Sequence, residues 1–193
     1  MFILEVTLMN PPNTSREEIM RVSRKIVSEK GLPALNMRAL AKECGIALGT
    51  LYNYYSDKDE LVVAAIESVW QDILEKSAPD SGVRFSQYVM HIYARILSGL
   101  KDYPDFFAAH SISVAGSAKG KARGMMERCF GKIRGELHAA LREDKNVDRS
   151  IFSETFREED LIEHILDTIT ISIINGKPDC ATLTEILDRL LYR

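Results

Sequence analysis

The 193-residue sequence contains no apolar run approaching the roughly 18 residues needed to span a bilayer, which argues against a transmembrane helix. The opening stretch MFILEVTL is apolar but short, lacks a basic leader and carries Glu5, so it reads poorly as a secretion signal. Cysteine is scarce. The three present, Cys44, Cys129 and Cys180, lie far apart and form no CxxC, so neither a disulfide framework nor a zinc site is expected, and a cytoplasmic location is. There is no excess of basic charge either: 25 Lys and Arg face 28 Asp and Glu, a net charge of −3. Bulk charge therefore predicts no polyanionic partner, and a nucleic-acid role would have to come from a local patch. No alternating run reads as a strand, and no repeat or low-complexity linker interrupts the chain.

What is present is helical periodicity almost throughout. Thr14 and Ser15 precede Glu17 and Glu18 in a capping pattern, and Ile19, Val22, Ile26 and Val27 follow at helical spacing until Gly31 and Pro33. Asn36 is placed to cap a second short helix over about 37–44, which Gly45 closes, and a third runs over about 47–55. Ser56, with Asp59 three residues on, is expected to cap a fourth helix, whose positive end suits Asp57, Asp59 and Glu60. Further helices are expected at about 83–101 and 119–142, from Thr155 and Glu158 onward, and from Thr182 and Glu185 onward. The predicted fold is all-α: an N-terminal three-helix unit carrying a helix-turn-helix, then a C-terminal helical bundle, about nine helices in total. Residues 14–60 are assigned to the first unit and 61–193 to the second. Residues 1–13 are expected to be a disordered arm or to precede the true start, because Met9 is followed by NPPNTS.

The segment GIALGTLYNYYSDKDEL is the most informative. In the second helix Met37, Leu40, Ala41 and Cys44 share one face, and after a glycine turn Ala47, Leu51 and Tyr55 do so in the third. The opposite face of the third helix centres on Gly49 and Asn53, flanked by Thr50 and Tyr52. Two short helices joined by a glycine turn describe a helix-turn-helix, whose second helix enters the major groove. The residues suit that surface. Gly49 permits close backbone approach, Thr50 and Tyr52 offer hydroxyls to phosphate oxygens, and Asn53 matches the N6 and N7 edge of adenine. Arg38 and Lys58 are placed to reach phosphates on either side. Residues 14–60 hold eight Lys and Arg against seven Asp and Glu, so the cations must be spatially sorted for such a face to attract DNA.

Residues 35–61, LNMRALAKECGIALGTLYNYYSDKDEL, resemble the DNA-binding signature of the TetR family of transcriptional regulators. The resemblance rests on Arg38, Leu40-Ala41, Gly45-Ile46, Gly49-Thr50-Leu51-Tyr52, Tyr54-Tyr55, and Lys58 followed by an acid and Leu61. It implies that Arg38, Thr50, Tyr52, Tyr54 and Lys58 contact DNA backbone or bases, and that Leu48, Gly49 and Asn53 occupy specificity-setting positions. Two residues depart from the family pattern. Ala47 stands where Ser or Thr is usual, which removes a side-chain N-cap at a cost of about 1 kcal/mol, and Leu48 stands where a polar or basic residue is common.

The resemblance further implies a homodimer on a palindromic double-stranded operator, with the last two long helices forming the interface. Leu161, Ile165, Ile169, Ile173, Ile186 and Leu190 are the candidates on those helices, although packing within one chain is an equally ordinary use for them. It also implies a small-molecule effector pocket within the bundle. Met90, Tyr93 and Phe106, with Phe107, His110, Met126 and Phe130, supply aromatic, thioether and imidazole groups suited to an apolar or aromatic ligand with a polar handle. The glycine-spaced stretch GSAKGKARG, residues 116–124, is a candidate mobile segment, with close helix packing the competing explanation.

No enzyme chemistry is legible. Gly116 to Lys121 has the wrong spacing for a phosphate loop, Ser98 and Lys101 match S-x-x-K without its companion motifs, and His91, His110, His138 and His164 are scattered. No cofactor or metal is expected. The resulting expectation is a ligand-released repressor. A DNA-binding protein without a small-molecule effector and a helical interaction module remain as alternatives.

Overall fold

The computed structural model describes residues 14–75, 82–104, 106 and 119–192; the opening arm, Phe107, His110 and residues 116–118 of the glycine-spaced stretch lie outside them. Among the described residues there are eight α-helices and no strands, against about nine helices expected: α1 (Arg16–Lys30), α2 (Met37–Glu43), α3 (Leu48–Tyr52), α4 (Lys58–Glu75), α5 (Phe85–Lys101), α6 (Lys119–Glu143), α7 (Glu158–Ile174) and α8 (Ala181–Leu191). None is long and apolar enough to cross a membrane.

The ends of these helices follow from local chemistry. Ser15 accepts the Glu18 N–H at 3.1 Å and opens α1, and Asn36 accepts the Ala39 N–H at 3.0 Å and opens α2. The start of α4 differs from the expectation. Asp57, not Ser56, takes the Glu60 N–H at 2.7 Å, while the Glu60 carboxylate reaches back to the Ser56 N–H at 2.8 Å. The box is shifted by one residue because an Asp stands where its carboxylate meets the third helical N–H. At α7 the cap is likewise not Thr155: Asp160 reaches back to the Arg157 N–H at 2.9 Å. At α8 Asp179, rather than Thr182, accepts the Ala181 N–H at 3.0 Å.

α4 packs against α1, α5 and α6, and α5 in turn meets α6, α7 and α8. The approach of α5 to α4 depends on Gly99, where an added methyl would come within 2.7 Å of Ile73 Cγ2. Beside that contact, Trp70 meets Phe106 edge-on at 6.0 Å between ring centroids. Tyr103 donates to Asp72 Oδ2 at 2.8 Å, and its hydroxyl is held protonated by burial and by that bond. From α1, Arg24 bonds Ser68 at 2.5 Å and pairs with Asp72, and Ser28 donates to the Asp102 carbonyl at 2.7 Å. The three-helix unit is thus fastened to the bundle through α4 and the end of α5.

The far end of the bundle is closed by a polar clasp. Asp144, buried after α6, accepts from the Phe85 N–H at 2.8 Å, from Tyr192 Oη at 2.6 Å and, through its other oxygen, from the Asn146 N–H at 3.0 Å. It thereby satisfies a backbone donor at the start of α5 that its own helix leaves open. Burial alone pushes the Asp144 carboxyl up, but the bonds from Tyr192, Phe85 and Asn146 outweigh it and leave the group below its ordinary value. The Tyr192 phenol is pushed up to about 12 by burial and by its bond to Asp144.

Because the folded Asp144 pKa is depressed, its stabilisation is complete above the unfolded value of about 3.9 and is lost as pH falls through the folded value. Tyr192 has the opposite sign: its contribution is present below about pH 10 and is lost as pH rises through about 12. Asp144→Asn is expected to lower unfolding free energy at pH 7 by about 1–3 kcal/mol, the range for leaving buried partners of a charged acceptor poorly paired. Urea titrations of both proteins between pH 3 and 7 check this, with the gap narrowing at the acid end.

Candidate nucleic-acid interface

The turn between α2 and α3 is built by Gly45. Its N–H bonds the Lys42 carbonyl at 3.1 Å, and the Ile46 N–H bonds the Ala41 carbonyl at 3.0 Å, the paired bonds of a Schellman end. This geometry places Gly45 at φ +66°, in the left-handed region. α3 then starts at Leu48 without a side-chain cap, as expected from Ala47. It is anchored by Leu51 and, just beyond it, Tyr55, both fully buried. Ala47 itself is exposed at the helix start rather than packed with them.

α3 is shorter than the sequence pattern predicted, ending at Tyr52, and this decides where its tyrosines go. Tyr52 is 49% exposed on the outer face with Gly49 and Asn53, while Thr50 and Leu48 are half-buried beside them. A Cβ at Gly49 would meet nothing within 4 Å, so the fold does not require glycine there. Tyr54 lies in the turn after the helix and faces α1: its hydroxyl donates to the Thr14 carbonyl, and its own carbonyl accepts from Arg16 Nη2 at 3.2 Å. It braces the start of α1 from the protein side of α3.

The cations divide into two groups. Those of α1 and its end are matched inside the chain. Arg21 meets Glu18 at 2.6 Å, Lys25 meets Glu29 at 3.9 Å, Lys30 meets Glu43 at 3.3 Å, and Arg24 meets Asp72 at 3.8 Å. Arg16 lies over the Tyr55 ring at 5.0 Å and pairs with Glu60 at 3.7 Å. Arg38, Lys42 and Lys58 are exposed and make no ion pair with any described residue. Lys58 occupies the first position of the 18-residue α4, where the helix dipole opposes a cation by about 0.3–1 kcal/mol. The spacing of four between Arg38 and Lys42 is visible in the sequence, whereas the diversion of neighbouring Glu43 to Lys30, which leaves Lys42 without an acid among the described residues, is visible only in the fold.

The other candidates scatter. Met126 and Phe130 line an apolar cleft with Trp70, Ile96, Cys129 and Ile133, closed on the α7 side by Leu166, Ile169 and Ile173, with about 20 Å³ of free volume. Tyr93 is buried elsewhere, donating to the Lys177 carbonyl at 2.8 Å, Phe106 packs on Trp70, and Met90 is 49% exposed. Of the six interface candidates, Leu161, Ile165, Ile186 and Leu190 line a groove of about 380 Å³ between α7 and α8. Leu161, Ile165 and Ile169 are buried in the core of the same chain, while Ile186 and Leu190 are 54% and 38% exposed, with Ile171 and Ile174 exposed as well. The described residues contain no group of three His, Cys, Asp or Glu placed to hold a metal ion.

Residues 19–65 match the family described as bacterial regulatory proteins, tetR family. The chain is 32% identical over 99 residues to an uncharacterized HTH-type transcriptional regulator of Haemophilus influenzae, covering 45% of this chain and 53% of that protein. It is 32% identical over 77 residues to the HTH-type transcriptional regulator UidR of Escherichia coli, covering 39% of each. The matched part thus spans about half the length of these curated relatives, or less. In fold it resembles the multidrug binding protein EbrR complexed with imidazole, with a TM-score of 0.62 at 17% identity over 92% of this chain and 95% of that one. The likeness in fold therefore covers 92% of the chain, whereas the family match covers residues 19–65.

Gly45→Ala is expected to destabilise the protein by about 1–2 kcal/mol, because no neighbour obstructs the methyl and the cost is that of an L-residue at φ +66°. Thermal or urea unfolding measures it. An unchanged midpoint would mean that the turn relaxes to another geometry.

Proposed function

The chain belongs to the TetR family of bacterial regulatory proteins, and on that premise we propose that it is a sequence-specific DNA-binding regulator acting as a homodimeric repressor. One observation carries the reading: the outer face of α3 and its flanks bear Gly49, Tyr52, Asn53, Arg38 and Lys58, exposed and without the internal pairing that occupies the cations of α1. A bare glycine, an amide matched to adenine and two unmatched cations suit a duplex groove and its phosphates. In this reading Leu48 meets a thymine methyl and Thr50 donates to a phosphate oxygen.

A second copy would cover the exposed apolar residues of α7 and α8, Ile171, Ile174, Ile186 and Leu190, and so place two α3 helices on a palindromic operator. The effector site in this reading is the cleft of Trp70, Met126 and Phe130. Among the described residues that line it the polar groups are few, the Thr170 hydroxyl, the Trp70 indole N–H and the Cys129 thiol, and none is charged, so it favours a neutral apolar or aromatic ligand. With only about 20 Å³ free, a ligand would have to displace Phe130 or Met126, and it shifts DNA binding only if it prefers the displaced arrangement. The near-closed cleft equally favours a regulator without a small-molecule effector, and retention of operator binding across a panel of neutral aromatic compounds would support that form.

Selection of genomic fragments by the purified protein, followed by footprinting, tests the reading. A protected palindrome is the expected result, and no enrichment over random DNA at low salt would overturn it. Gly49→Ala is expected to act with opposite signs on fold and function. It should stabilise the free protein by up to about 1 kcal/mol through helix propensity while weakening operator binding, compared by melting and by titration of labelled DNA. Leu190→Glu is expected to shift the protein from dimer to monomer in sedimentation velocity while leaving its helical circular dichroism intact.

A further inference from the structure

We infer that Lys42 is a phosphate-contacting residue that, with Arg38, clamps one strand of the duplex alongside α3; this rests on the DNA-binding reading above. Both residues are on α2, four positions apart, and therefore on one face about 6 Å apart along the axis. Like charges at that spacing repel, and the helix gains nothing from them in isolation. The usual remedy is an acid one turn away. Lys42 has none: the positions three and four away from it are Ala39, Arg38, Gly45 and Ile46. The adjacent acid on α2, Glu43, is held by Lys30 at 3.3 Å. For Arg38, the corresponding positions are Ala34, Leu35, Ala41 and Lys42.

Only the C-terminal end of the helix dipole offsets the charge of Lys42, and no described acid pairs with either cation, in a unit where Arg16, Arg21, Arg24, Lys25 and Lys30 all have acidic partners. A local conflict that nothing else in the fold resolves marks a position kept for an external anion. Position fixes which anion. Lys42 is in the last turn of α2, and its carbonyl accepts from Gly45 in the turn that leads into α3. When α3 lies in a major groove, α2 crosses the bordering backbone, and two cations stacked along α2 meet successive phosphates of that strand. Phosphate contacts fix register and carry no base preference.

The test measures how affinity for the footprinted fragment and for random duplex DNA depends on salt. Each phosphate contact contributes about 0.9 to the slope of log affinity against log salt. Lys42→Ala, losing one contact per half-site, is expected to reduce the slope by roughly two on both DNAs, with Lys42→Arg retaining it. Its melting temperature should stay close to that of the wild type, because the relieved repulsion and the helix propensity of alanine offset the lost dipole contact; a structural role would lower it clearly. If Lys42→Ala keeps the wild-type slope while Arg38→Ala reduces it, the inference fails and the DNA-binding reading stands. If Lys42→Ala alters base discrimination without changing the slope, the phosphate role is overturned. If wild-type binding has no salt dependence at all, both readings fall.

Discussion

The seating of Ile73 on Gly99 is the contact on which the arrangement of the whole chain depends. A methyl group at Gly99 would sit 2.7 Å from the Ile73 side chain, so α5 lies nearer to α4 there than a side chain on Gly99 would allow. That closeness fixes the inner end of α4, whose other end begins at Lys58 beside α3. One continuous helix thus carries core residues of the three-helix unit at its start, Leu61 and Ala65, and core residues of the bundle at its end, Ile66, Val69 and Ile73. The two units thus share one helix.

Charge is distributed by the same logic of shared elements. Arg24 and Asp72 are spent on joining α1 to α4, Arg16 on holding Tyr55 and Glu60, and Lys30 on binding α1 to α2 through Glu43. These bonds use cations that a composition count would credit to a nucleic-acid surface. A near-neutral unit can still present a basic face, because among the described residues five of its eight cations are paired with acids and Arg38, Lys42 and Lys58 are the three that are not. Local sorting, not net charge, decides whether such a protein attracts a polyanion.

Much of this was legible from residue order. The helix register, the buried faces of α1 and α2, the glycine turn and the uncapped α3 follow from periodicity and from residues with strong backbone preferences, since those properties are set within a few positions. Features depending on distant partners were hidden. The caps of α4 and α7 moved by one and two residues to the site where a carboxylate met a free N–H, which spacing rules resolve poorly when several candidates are adjacent. Tyr54 turns inward because α3 stops at Tyr52, a boundary that the apolar pattern through Tyr55 concealed. Ile169 and Ile186 carry the same apolar signal, yet one is buried in its own chain and the other faces outward. Nothing in their immediate neighbourhoods distinguishes them.

The clasp formed by Phe85, Asp144 and Tyr192 has a consequence in time. It joins positions 107 residues apart, so the clasp at the start of α5 cannot form until Tyr192 has been synthesised. At about 5–20 residues per second, the helix-turn-helix unit is made roughly 7–26 s before its bundle can close. During that interval α4 is present with its bundle-facing side uncovered, and the surface that will carry Tyr52 and Asn53 is already made. In a nascent chain, therefore, the helix-turn-helix precedes the bundle against which it is packed.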